Sequence, residues 1–110
     1  MCPIANVLDV VGDKWTLLIV RDLLFMGKRR YQELAASPEG IPTNILADRL
    51  KRLEKDGLIA KSPYQTNPVR YAYSLTPKGT DLKSVLISMI EWSGKHVPGA
   101  RVPPAKFLKG

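Results

Sequence analysis

Six cations carry the strongest chemical suggestion in this 110-residue chain: Lys51, Arg52 and Lys55 in one short stretch, Arg70 beyond it, and Arg29 with Arg30 before it. They neutralise phosphates, and the counterions released favour association with a polyanion. Among them, Thr43, Asn44 and Ala47 are placed to meet base edges, Asn44 through a bidentate pair with adenine. Arg29 and Arg30 are expected to hold the nucleic-acid backbone without reading sequence. Asp48 interrupts the positive series; it either pairs with Arg52 at i+4 or accepts from a cytosine amine. Taken alone, Lys51, Arg52 and Lys55 suit an ordinary solvated helix face equally well.

The flanking residues predict how these side chains are presented. At about 100° per residue, Leu46, Leu50 and Leu53 share one stripe, while Asn44, Asp48, Lys51 and Lys55 point the opposite way. Pro42 and Thr43 open this helix, with the hydroxyl available as a cap, and Gly57 ends it. Upstream, Arg29 to Ala36 forms a short helix with Tyr31, Leu34 and Ala35 inward, and Ser37-Pro38-Glu39-Gly40 forces a turn. Downstream, Leu58-Ile59 starts a strand, and the polar, proline-bearing run from Lys61 to Val69 is expected to be a hairpin tip. From Arg70 the pattern alternates, with Tyr71, Tyr73 and Leu75 on one face, which puts Arg70 at the base of a solvent-facing wing. Thr76-Pro77 caps a further helix. A short helix, a turn, a longer basic helix and a hairpin make a mainly α fold with a small β-hairpin wing, the winged helix-turn-helix.

The sequence resembles the HxlR-type transcriptional regulators, small winged-helix proteins of bacteria and archaea. The matching stretches are Cys2-Pro3-Ile4, Gly12-Asp13-Lys14-Trp15, Arg30 to Leu34, Gly40-Ile41 through Leu58, and Arg70 to Gly79. They keep the order and spacing of the family and span the chain to about Gly94. The resemblance implies a homodimer formed through the terminal helices, bound to double-stranded DNA. Some members of the family carry a cysteine at the position of Cys2 and use it to sense oxidants or electrophiles.

Composition fits that expectation. The net charge of +7, from 17 Lys and Arg against 10 Asp and Glu, favours nucleic acid or an anionic membrane surface as partner. No apolar run is long enough to cross a bilayer, no signal peptide is expected, and one cysteine excludes an internal disulfide; a cytoplasmic protein is expected. Ile4, Val7, Leu8 and Val11 at one end, and Leu86, Met89 and Ile90 within a wider stripe at the other, offer more apolar surface than a small domain covers. A second copy would satisfy it. Residues 1–96 are expected to form the domain and 97–110 a loose tail. Catalysis finds little support: His96 is the sole histidine, Asp9 and Asp13 lie on a surface helix, and no metal-ligand or nucleophile motif occurs. No cofactor or metal is expected. The groove of A-form RNA is too narrow for the basic helix. The rival to a homodimer acting on an inverted-repeat operator is a winged helix that only binds other proteins. Cys2, ahead of Pro3 at a helix start, is either a redox sensor or an exposed thiol without a regulatory role.

Overall fold

An aspartate buried inside an apolar helix organises most of what surrounds it. The helix, α2 (Lys14–Phe25), lies within the first of two compact units, residues 1–80, of a computed structural model that describes residues 1–101. The same unit holds α1 (Pro3–Val11), α3 (Tyr31–Ala35), α4 (Thr43–Lys55), β1 (Ile59–Thr66), β2 (Val69–Leu75) and the short α5 (Pro77–Thr80). The second unit, from residue 81, contains α6 (Lys83–His96). The architecture is the mainly helical winged helix-turn-helix that the sequence predicts. Of the expected tail, 97–110, a turn follows α6 with the Ala100 amide on the Val97 carbonyl, and residues 102–110 lie outside the described residues.

Asp13 starts α2 by accepting from both the amide (3.0 Å) and the hydroxyl (2.7 Å) of Thr16. Thr16, Ile19 and Val20 are then buried at helical spacing, and α2 packs against α1, α4 and β2. In α4 the expected stripe is the buried one: Leu46, Leu50 and Leu53 are between 0% and 3% exposed. The helix ends on Gly57 at φ +77°, where any side chain would be strained. There the Leu58 amide reaches the Leu53 carbonyl and the Gly57 amide that of Glu54, satisfying carbonyls left open at the helix end. The opening differs from expectation. Pro42 occupies the cap and Thr43 is the first helical residue, so its hydroxyl caps nothing.

The hairpin is longer than its composition suggests. Lys61 to Thr66, expected as a loose tip, are paired in β1, and only Asn67-Pro68 turn the chain. Polar residues are tolerated because the strand is held by its ladder rather than by burial, and Pro63 sits beside a bulge at Tyr64 where its missing N–H does least harm. Arg70, opposite Gln65, therefore lies next to the turn and not at the base of the wing. The real base is welded to the end of α4. Thr76 donates its hydroxyl to the Gly57 carbonyl (2.6 Å) and its amide to Leu58 (3.0 Å), and Lys78 reaches the Asp56 carbonyl. A Cβ on Gly79 would stand 2.1 Å from the Leu58 carbonyl oxygen, so this approach requires glycine.

Asp22, 2% exposed, accepts from the Arg21 guanidinium on one oxygen and from the Ser37 hydroxyl on the other, with Lys28 Nζ 3.7 Å away. Lys28 donates to Ser37 as well, and Arg21 continues to Glu39 through two hydrogen bonds of 2.7 and 2.9 Å. One buried carboxylate thus ties α2 to both ends of the turn that leads from α3 to α4. Removing it leaves Lys28 without a carboxylate partner and Ser37 without its buried acceptor, and Asp22→Ala is expected to cost about 3 kcal/mol in urea unfolding. A loss under about 0.5 kcal/mol would show that the network holds nothing. The Arg21 bonds also depress the Glu39 carboxyl from 4.5 to about 2. A carboxylate with a lowered folded pKa stabilises above its unfolded pKa and loses that contribution as pH falls towards the folded one. Stability should therefore drop between about pH 4.5 and 2 by more in the wild type than in Glu39→Gln, measured by acid titration of both; parallel curves would contradict the assignment.

Candidate nucleic-acid interface

The outward face of α4 carries Asn44, Asp48, Lys51 and Lys55, all exposed, with Thr43 and Ala47 also exposed at the leading end and Arg52 on the flank. Burial of the Leu46, Leu50 and Leu53 stripe fixes which way they point. Lys51 and Lys55 make no ion pair among the described residues, so their charge is free for an external anion. Arg52 lies 4.0 Å from Asp48, the i+4 pairing anticipated from sequence. Asp48 has a nearer partner in Arg49, whose Nη1 donates to it while its Nε reaches Asp13 Oδ1 at 3.2 Å. Burial raises the Asp13 carboxyl, but the Thr16 hydroxyl and amide together with Arg49 outweigh it and leave it below the usual carboxylate range.

Arg29 and Arg30 lie just before α3, with Arg30 at its cap. Their backbone is fixed twice. Glu33 accepts both amides, at 3.0 and 2.8 Å, and those bonds hold its carboxyl below its ordinary value. On the other side the Arg29 carbonyl accepts the Tyr73 amide (2.7 Å) and Arg30 bridges to Ala72, giving the hairpin a stub of a third strand. The side chains stay exposed, and the Arg30 guanidinium lies over the Tyr64 ring, 4.1 Å from its centre. Tyr31 donates to the Thr43 carbonyl (3.2 Å), joining α3 to the first turn of α4. Between α3 and the hairpin, Tyr31, Gln32, Tyr64, Arg70 and Tyr71 line an open groove. Arg30 and Arg70 thus approach the same side of the hairpin, whereas Lys51 and Lys55 stand on a separate element.

Several contributors escape a reading by residue type. Arg49 looks like one more flank cation, and its partner Asp13 is distant in sequence. Lys61, in the supposed loop, stands 4.6 Å from the centre of the Tyr71 ring and adds a cation to the wing. Asp22, Lys28 and Ser37 belong to no periodic pattern, although an aspartate inside an apolar run was the available signal.

The other expected residues fall as follows. Cys2 is exposed and occupies the cap position of α1 without a side-chain cap bond, with Pro3 in the first turn. Ile4, Val7 and Leu8 are exposed, but Val11 is buried in the single chain because it is on the side of α1 that packs against α2. In α6, Met89 is exposed, Ile90 half-buried and Leu86 buried. Val11 and Leu86 are therefore not free for a second copy, and the exposed Val85 and Trp92 enlarge the face on α6 instead. His96 packs against Trp92 with ring centres 5.0 Å apart and the planes tilted by 44°. Among the described residues no cluster of His, Cys, Asp or Glu could hold a metal, and no helix is long and apolar enough to cross a membrane.

Comparison with known proteins agrees with this geometry. The family model of the HxlR-like helix-turn-helix matches residues 10–100. An uncharacterized HTH-type transcriptional regulator of Mycobacterium tuberculosis is 38% identical over 104 residues, 94% of this chain; the chain spans 65% of that relative's length. The reduced form of the transcriptional regulator YodB from B. subtilis superposes with a TM-score of 0.73 at 30% identity, over 92% of this chain and 99% of that one. The redox regulator HypR in its oxidized form gives 0.72 at 32% identity, over 86% and 97%. The helix-turn-helix, the wing and these likenesses place the chain in the HxlR-like family of helix-turn-helix transcriptional regulators.

Proposed function

We propose that the protein is a sequence-specific double-stranded DNA-binding regulator, working in the cytoplasm as a homodimer on an inverted-repeat operator. The observation that carries this reading is the face of α4, where Asn44 in the first turn is followed by Lys51 and Lys55, exposed and unpaired among the described residues. A module that only binds proteins has no use for such a face. In the major groove, Thr43, Asn44 and Ala47 would meet base edges, Lys51 and Arg52 the phosphates, and Arg70 the backbone beyond, beside the wing. Arg29 and Arg30, their backbone pinned by Glu33 and β2, would grip phosphate without reading sequence. Residues 1–96 constitute the functional domain in this reading. The exposed Ile4 and Leu8 of α1, and Met89 and Trp92 of α6, each 50% or more exposed, would be covered by the second copy.

Two half-sites read by symmetric helices should have centres about 10 bp apart or a multiple of that. Selection from random genomic DNA with the purified protein, followed by gel shift and sedimentation, is expected to return such a site bound by a dimer, with affinity falling steeply as salt rises. Lys51→Ala and Arg70→Ala should each weaken binding by roughly 1 kcal/mol, Arg70→Ala on every sequence alike. Asn44→Ala should remove about 1–3 kcal/mol of base discrimination at one position per half-site. A monomer that binds no DNA at low salt would favour the protein-interaction module.

A redox response is a second element of the reading. Its support is the exposed Cys2 thiol at the α1 cap and likeness to structures described as an oxidized redox regulator and a diamide-treated YodB. With one cysteine per chain, diamide would take two electrons and two protons from the thiols of two subunits and link them. DNA affinity before and after diamide is expected to change in the wild type and not in Cys2→Ser. Equal affinity in all four samples would leave Cys2 an exposed thiol with no regulatory part.

A further inference from the structure

Asp48 presents a physical problem on a face meant for DNA, and its surroundings resolve it. A bare carboxylate in the middle of α4's outward side would repel the phosphates that Lys51 and Lys55 attract. It is instead held by Arg49 Nη1 on one oxygen, Oδ2, with Arg52 4.0 Å away, and its side chain remains 55% exposed. Oδ1 has no hydrogen-bond partner among the described residues. Arg49 is itself held from behind. Its Nε bonds Asp13 Oδ1, and Asp13 is anchored by Thr16 at the start of α2, so the chain of contacts runs from the scaffold to the reading face. Arg49 is only 21% exposed on its side chain, inward of Lys51 and Lys55, and spends its charge on two carboxylates rather than on DNA.

We infer that Asp48 is a base-reading acceptor and that Arg49 is the positioning residue that fixes it, so that each half-site requires a cytosine amine opposite Asp48. This rests on the major-groove role of α4 proposed above. The reasoning is one of geometry and preorganisation. In the major groove cytosine offers an amine donor, and a carboxylate is the side chain that accepts from it. An unrestrained aspartate on a helix surface samples several rotamers, and ordering one of them on binding offsets much of the hydrogen bond. Arg49 carries that ordering in the free protein, and half-neutralises a charge that would otherwise oppose the duplex.

The test is selection from a random-sequence library by the full-length protein and its variants, read as base preference position by position. The wild type should favour cytosine at one position per half-site by roughly tenfold. Asp48→Asn should move that preference to adenine, whose amine and ring nitrogen an amide pairs with, and leave the other positions as they were. Arg49→Gln should erode the cytosine preference several-fold, in addition to a uniform loss of affinity at low salt from the uncompensated Asp48 charge. Asp13→Asn, which keeps an acceptor for Thr16 but lacks the charge that pins Arg49, should act in the same direction, so a variant that folds poorly does not leave the question open. A purely structural Arg49 would lower stability and affinity on all sequences without moving base preference, and that result overturns the positioning role. An Asp48→Asn profile identical to the wild type overturns the inference while leaving DNA binding intact. A wild type that selects no sequence overturns the reading of α4 on which it rests.

Discussion

The burial of Asp22 is the constraint on which the geometry of the reading face depends. A carboxylate with 2% exposure persists only if it is paired and hydrogen-bonded, and here Arg21 and Ser37 donate to it with Lys28 3.7 Å away. The requirement runs in both directions. Asp22 needs Ser37 to be where it is, and Ser37 belongs to the turn that sets how α3 delivers the chain into α4. Apolar packing of Leu46, Leu50 and Leu53 determines which side of α4 is inside, but such packing tolerates small rotations and slides. A directional polar network does not. The helix proposed to enter a groove about 12 Å wide is thus held by a hydrophobic stripe for orientation and by charged hydrogen bonds for position.

A second division of labour separates structural charge from free charge. Arg21, Lys28 and Arg49 are committed to carboxylates inside the protein, and Lys78 to a carbonyl at the end of α4. Lys51 and Lys55 have no such commitment, while Arg30 and Lys61 rest on tyrosine rings of the hairpin with their charge still accessible. A net charge of +7 counts all of these equally. The second group, on α4, at the start of α3 and on the wing, is the one that offers its charge to a polyanion beside the helix-turn-helix. The backbone of Arg29 and Arg30, pinned between Glu33 and β2, makes one unit of the last two.

Much of this was legible in the sequence. The period of Leu46, Leu50 and Leu53, the glycine at 57 and the Ser37 to Gly40 break gave the helix-turn-helix, because each reports a local preference that the fold respects. Local preference misled where the tertiary setting overrode it. Lys61 to Thr66 read as a loop, since strand signals presume a buried face, and this part of β1 is exposed apart from a half-buried Gln65. Val11 and Leu86 read as free apolar surface, because periodicity marks an apolar side without saying what covers it. The partners of Arg49 and Asp22 were unreadable for a deeper reason: they are set by the crossing of elements, and nothing local encodes a contact between Asp13 and a residue on α4.

The central claim is that α4 lies in the major groove with Asn44 and Asp48 against base edges. Chemical methylation of a selected DNA fragment tests it directly, since dimethyl sulfate attacks guanine N7 in the major groove and adenine N3 in the minor groove. The account predicts two patches of N7 protection, one per half-site, on one face of the duplex and about one turn apart. Loss of reactivity only at adenine N3, or no protection on DNA that the protein demonstrably holds, would contradict it.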